Sequence, residues 1–294
     1  MNKILARYQN GNYTVTLYDD GTKVKETIDD EFIASFPDSM DLKITEVCDL
    51  NCVMCHESST ISGKHASFNQ KFLSSLPKGI ELAIGGGNPL SHPELVLFLE
   101  RMKKQGVICN ITVNEIHLWK YIDLINELTS KKLIYGLGIS LSIYKKETFD
   151  YLVNNPNSVA HIILGMCDFD EMFKYDTKNI KVLMLGYKVF GRGIEYYKID
   201  SSINNKIKEV EENFKEVIRK FKAVGFDNLA LEELHLKDHL SKKMWDKFYM
   251  GDDGTSTVYV DLVKNEFAIS STSTDRYPLL DDVYSMLSFL KNKR

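Results

Sequence analysis

The sequence predicts an α/β protein built on a parallel sheet, and three observations carry that prediction. From Leu42 onward, short apolar strands alternate with amphipathic helices, the pattern of consecutive βα units. The segments between the strands carry helix start and stop signals, with serine or aspartate ahead and glycine behind. The chain has 294 residues, 44% hydrophobic and 27% charged, which is enough length and apolar content to bury a sizeable core.

Residues 1–38 read as an N-terminal β-hairpin cap. Tyr13 to Tyr18 alternates at period two, with the turn pairs Asn10-Gly11 before it and Asp20-Gly21 after it. Residues 39–225 read as the core, with strands at 42–45, 81–84, 108–113, 136–141, 160–164 and 181–185. Between the second and third strands, Ser91 is placed to cap a helix carrying Leu95, Phe98, Leu99 and Met102, and Gly106 can take the left-handed conformation at its end. Further helices are expected at 118–128, 146–153 and 168–173. The longest spans 203–224, with Ile207, Val210, Phe214, Val217, Ile218 and Phe221 on one stripe. Residues 226–294 read as a C-terminal α/β extension: a strand at 228–231, a helix at 242–248, a hairpin-like pair at 257–263 and 266–271, and a last helix at 281–290. Neither an internal repeat nor a low-complexity stretch interrupts this order.

Charge and hydropathy narrow the function classes. Thirty-seven Lys and Arg against 41 Asp and Glu leave a net charge of −4, which argues against a nucleic-acid backbone as the main partner. No apolar run approaches the ~20 residues of a bilayer span. The N-terminus lacks the apolar stretch of a secretory signal, so the expected compartment is the cytoplasm.

Five cysteines, an odd number, do not fit a disulfide scaffold. Three stand in Cys48-Asp-Leu-Asn-Cys52-Val-Met-Cys55, directly after the first core strand, at the end where α/β barrels place their active sites. Three thiolates on one short loop can converge on a metal centre, and sulfur ligands select zinc, Cu(I) or an iron–sulfur cluster. Zinc would need His56 as fourth ligand, although neighbouring Cys55 and His56 point their side chains apart. A [4Fe–4S] cluster held by three thiolates keeps one iron open to a small molecule.

This Cys-x3-Cys-x2-Cys spacing after the first strand of a βα repeat resembles the radical S-adenosylmethionine (SAM) superfamily. The resemblance implies a partial (β/α)6 TIM-type barrel, and one [4Fe–4S] cluster on Cys48, Cys52 and Cys55 as both metal-binding and catalytic residues. It also implies SAM as cofactor and an electron donor such as flavodoxin or ferredoxin. In that family the reduced cluster cleaves SAM, and the resulting 5′-deoxyadenosyl radical abstracts hydrogen from substrate. Gly85-Gly86-Gly87-Asn88-Pro89, at the end of the second strand, is similar to the family's Gly-Gly-Glu-Pro motif, which contacts the SAM amino group. Gly86, Gly87 and Pro89 match, while Asn88 supplies a carbonyl acceptor in place of a carboxylate. Asn114, Ser140, Ser142 and Lys188 stand at strand ends that line the SAM pocket in the family, and Lys188 and Arg192 are placed to receive an anionic group.

Cys109 and Cys167 have no partner motif and read as inert buried thiols, too few for the auxiliary-cluster domain of many peptide-modifying members. His161 and His235 read as structural. The expected function is radical SAM chemistry on a small-molecule or nucleotide substrate. The alternatives are a peptide-modifying enzyme of the same superfamily and a non-catalytic iron–sulfur or zinc protein.

Overall fold

The computed structural model describes residues 3–293; Met1, Asn2 and Arg294, which end the first and last predicted segments, lie outside the described residues. The chain begins with β1 (Ile4–Asn10), β2 (Tyr13–Tyr18) and β3 (Lys23–Glu26), an antiparallel sheet in that order. Both predicted turns form, so the expected hairpin is a three-stranded sheet. A buried polar bolt fixes it to the core: Tyr13 and Asn10 donate to the two Asp38 oxygens at 2.8 Å each, and Lys25 pairs with the same carboxylate at 2.6 Å.

The main sheet contains β4 (Ser39–Thr45), β5 (Glu81–Gly86), β6 (Ile108–Asn114), β7 (Gly136–Ser140), β8 (Ser158–Ile163), β9 (Lys181–Leu185) and β10 (Ala223–Phe226). All are parallel and lie side by side in chain order. The winding never reverses, unlike a doubly wound sheet. β11 (Thr257–Asp261) joins the free edge of β4 in parallel, and β12 (Glu266–Ala268) and β13 (Tyr277–Pro278) continue outward antiparallel. Among the described residues no ladder joins β10 to β13, so the sheet is open.

The connections are α1 (Leu95–Gln105), α2 (Glu115–Lys120), α3 (Ile122–Ser130), α4 (Lys146–Asn154), α5 (Phe169–Met172), α6 (Arg192–Ile199), α7 (Ile203–Glu212) and α8 (Phe214–Ile218). Then follow α9 (Asn228–Glu233), α10 (Leu236–His239), α11 (Lys242–Phe248) and α12 (Val283–Lys291). Gly106 ends α1 at φ 76°, as expected, but Ser91 does not begin it. Ser91 closes a single 3-10 turn and donates its hydroxyl to the Asn88 carbonyl at 2.7 Å. The helix expected at 118–128 is two, α2 and α3, meeting at Tyr121.

The largest departure concerns 203–224. Helix ends at Ile218, and residues 223–226 become β10 because their backbone gains a full ladder along β9. Residues 228–231, expected as a strand, open α9, whose first turn is capped by Asp227 accepting the Ala230 N–H at 2.8 Å. An amphipathic stripe reports which side chains want burial but not where an edge strand offers unpaired hydrogen bonds.

The sheet has two unlike faces. One carries Val260, Leu42, Ile84, Ile111 and Leu137 across neighbouring strands, all buried in the core with the helices. The other carries Tyr259, Asp41, Ala83, Asn110 and Gly136 in one row, and Asn114, Ser140, His161 and Leu183 in another. Barrel interiors are normally packed with branched apolar side chains. Here the inner rows are mostly short or polar, and Ala83, Asn110, Gly136 and His161 border a cavity of about 470 Å³ that Tyr18 to Gly21 of the β2–β3 turn also line.

Candidate functional site

Strand β4 ends at Thr45, and the chain then loops through Cys48, Cys52 and Cys55. All three thiols are free and half-buried. The loop is pinned by its own backbone: the Cys48 N–H donates to the Thr60 carbonyl at 2.9 Å and the Cys55 N–H to the Cys52 carbonyl at 3.2 Å. Burial, and then the neighbouring cysteines, push the Cys48 and Cys52 thiols above their ordinary value. A cationic centre would reverse that, because it favours the thiolates.

The glycine turn after β5 lies against the root of this loop. The Gly87 and Asn88 N–H groups donate to the Thr45 and Val47 carbonyls at 2.8 and 2.7 Å. A Cβ on Gly87 would stand 2.4 Å from the Val47 oxygen, and one on Gly86, at φ 112°, 2.3 Å from that of Thr45. These glycines therefore serve close backbone approach. Asn88 is buried, and its side-chain oxygen accepts the Leu90 N–H at 3.2 Å, so that oxygen already caps the turn ending at Ser91. Pro89 is buried in the same turn.

Asn114 and Ser140 are direct neighbours across β6 and β7, and the Ser142 hydroxyl donates to the Asn114 oxygen at 3.2 Å. The loop that carries Ser142 is organised by Glu115, a fully buried residue that the sequence reading did not single out. Its carboxylate accepts the N–H groups of Ser142, Ile143, Tyr144 and Lys145 and the Thr148 hydroxyl, at 2.8–3.0 Å. Burial opposes its charge, but these donors outweigh it and hold the carboxyl below its ordinary value.

Lys188 donates to the Ser271 hydroxyl at 2.9 Å, which ties the loop after β9 to the segment after β12. Arg192 corrects an expectation: its guanidinium turns to protein carbonyls, donating from Nε to Cys52 and from one Nη to Ser59, each at 3.0 Å. The structure thus gathers the cysteines, the glycine turn and the Arg192 loop, with Asn114, Ser140 and Ser142 along the same ends of the parallel strands.

Several residues had no sequence signal. His117 and Lys120 of α2 hold the Asp49 carboxylate at 2.6 and 2.5 Å, and the ligand atoms of Cys48, Asp49 and His117 lie within 4.8 Å of one another. Asp49 is already neutralised there, its carboxyl lowered to about 2 by Lys120 and His117. Beside Cys55, His56 faces Glu57 at 3.5 Å instead of the thiols. Glu57 in turn meets buried Lys43 at 2.8 Å and the Tyr259 hydroxyl at 3.1 Å, and Lys43 also reaches Asp261 at 2.9 Å.

His161 departs from its structural reading. It sits on the inner face with no hydrogen-bond partner among the described residues, and burial, helped by Lys188, lowers its pKa to about 4. His235 pairs with Glu211 at 2.9 Å. Cys109 is buried, and burial pushes the Cys167 thiol up to about 12, as inert thiols require.

The chain matches no family model and no curated protein. Its fold matches solved structures of Streptococcus suis SuiB. With SuiB bound to the precursor peptide SuiA the TM-score is 0.53 at 13% identity, over 87% of this chain. With SuiB bound to S-adenosylmethionine it is 0.51 at 12% identity, and with SuiB alone 0.54 at 12% identity. The chain spans 65–66% of the SuiB chains. At such identity the likeness is one of fold.

Proposed function

We propose that this chain is a radical SAM enzyme, with Cys48, Cys52 and Cys55 holding one [4Fe–4S] cluster and SAM bound over the strand ends of a partial (β/α)6 barrel. The observation that carries the reading is the three-cysteine loop leaving β4, on a fold shared with SuiB. The donor set suits the group: three unpaired sulfurs stand on one loop, and the neighbouring His56 faces Glu57. Residues 1–38, 39–225 and 226–294 serve in this reading as cap, core and closing extension.

When bound, the cluster supplies the electron that cleaves SAM to a 5′-deoxyadenosyl radical. The chain's residues position and shield. Gly86 and Gly87 let the turn after β5 pack directly against the backbone at the root of the cysteine loop. Asn88 and Pro89 set the turn. Asn114 and Ser140 on neighbouring strands and Ser142 in the loop beyond offer hydroxyl and amide groups, and Lys188 supplies a positive charge suited to a carboxylate. The cavity bordered by Ala83, Asn110, Gly136 and His161 gives room on the inner face of the sheet. SuiB's complex with a precursor peptide favours a peptide substrate over the small molecule or nucleotide that the sequence first suggested. The electron donor is of the flavodoxin or ferredoxin kind, and the compartment the cytoplasm; no helix among the described residues is long and apolar enough to cross a membrane.

Anaerobic reconstitution with iron and sulfide tests this directly. About four irons per chain and release of 5′-deoxyadenosine from SAM under dithionite are expected. Retained zinc with intact SAM would instead establish the non-catalytic alternative.

A further inference from the structure

We infer that Arg192 is a positioning residue for the cysteine loop: it locks the loop's backbone in the shape that presents three thiolates, and places a fixed positive charge beside them. The inference rests on the radical SAM reading and goes beyond it, since nothing in the cysteine spacing or the glycine turn calls for an arginine after β9.

The contacts are backbone-directed and come from three atoms of one residue. The Arg192 N–H donates to the Cys55 carbonyl at 3.1 Å, Nε to the Cys52 carbonyl at 3.0 Å, and one Nη to the Ser59 carbonyl at 3.0 Å. Two of the three cysteines, and the exit of their loop, are thus held by a single side chain and its own amide. The glycine before Arg192 allows this approach, and the one after it lets the Arg192 loop fold tightly on itself. Gly191 has φ 56°, and a Cβ there would stand 2.3 Å from the His56 carbonyl oxygen. On Gly193 a Cβ would meet the Lys188 oxygen at 2.4 Å. Both substitutions press on backbone, which cannot yield as a flexible side chain can.

Arginine suits the task chemically. Its planar fork donates from separate nitrogens to two carbonyls at once in a fixed geometry, whereas an ammonium offers its donors from a single atom on a flexible stem. A bound cluster and its thiolates carry negative charge, so the guanidinium favours the more reduced, more negative state.

The test uses the full chain, reconstituted anaerobically as wild type, Arg192→Ala, Arg192→Gln and Arg192→Lys. Iron release to a chelator is followed by absorbance, and the reduction potential by EPR-monitored titration. We expect Arg192→Ala and Arg192→Gln to release iron at least several-fold faster than wild type and to shift the potential more negative. Arg192→Lys should recover the potential but not the slow release. Circular dichroism checks that each variant is folded; should Arg192→Ala fail to fold, Arg192→Gln, which keeps one donor, carries the comparison. Wild-type release or wild-type potential in the folded Ala or Gln variant overturns the inference. Failure of wild type itself to take up a cluster would overturn the radical SAM reading, a result that is distinguishable before any Arg192 variant is made.

Discussion

On one side of β5, Leu82 and Ile84 are fully buried in the core with Leu95 and Leu99 of α1; one residue away, on the other side, Ala83 is open to solvent. The same alternation runs along the neighbouring strands. Leu42, Ile111 and Ile139 lie on the helix side, while Asp41, Asn110 and Gly138 lie inside. Burying a leucine or isoleucine contributes roughly 1.5–3 kcal/mol, so the stability of the sheet resides on its helix face. The inner face contributes little packing, which leaves it free for a ligand. A sheet coated by helices on one side only need not fill its inner side, provided polar groups there meet water or a ligand.

The comparison can be broken most sharply at the cysteine loop. Cys52→Ala removes a thiolate from the candidate cluster site, so iron uptake and SAM cleavage should fall to background while the far-ultraviolet circular dichroism stays that of wild type. Cluster absorbance that persists in Cys48→Ala, Cys52→Ala and Cys55→Ala alike would refute the site. Next in size, Ile84→Ala on the helix face should destabilise by about 2–5 kcal/mol in urea titration, as large-to-small core changes do. Ala83→Val, one residue away, should change stability by no more than about 0.5 kcal/mol. Equal costs at the two positions would mean that the inner face is also packed.

Gly138→Ala sharpens the contrast within the inner face. Its Cβ would stand 2.4 Å from the His161 ring, which must move, at an expected cost of about 1–3 kcal/mol. His161 also predicts a pH effect. Burial, then Lys188, lowers it to about 4, so the folded chain holds it neutral while the unfolded chain takes up a proton near pH 6.5. Stability should therefore fall as pH drops from about 6.5 toward 4, and His161→Gln should flatten that slope in denaturation curves. The smallest effect is expected at Gly225, whose Cβ would find only the Leu183 methyl at 3.4 Å within close range. Gly225→Ala should stabilise by about 0.4–1 kcal/mol through the unfolded chain alone; a loss there would show that the inner edge of β10 is more crowded than its neighbours indicate.

Much of this was written locally. Periodicity located β4 to β9, cysteine spacing marked the loop after β4, and glycine runs marked the turn after β5, because each signal depends on neighbours a few residues apart. By the same local logic 203–224 read as one helix, since its apolar stripe carries no information about β9 waiting to pair with 223–226. The site divided likewise. Cys48, Cys52 and Cys55 were legible as a group, whereas Arg192 on the Cys52 carbonyl, His117 on Asp49 and Glu115 under the loop at Ser142 join residues 27 to 140 positions apart. The sequence by itself determined the order of β4 to β9 and the grouping of three cysteines on one loop, through spacing and residue type. Only the tertiary structure decided which face of the sheet is filled and which charged groups converge on that loop, because those depend on contacts between distant segments that no local pattern encodes.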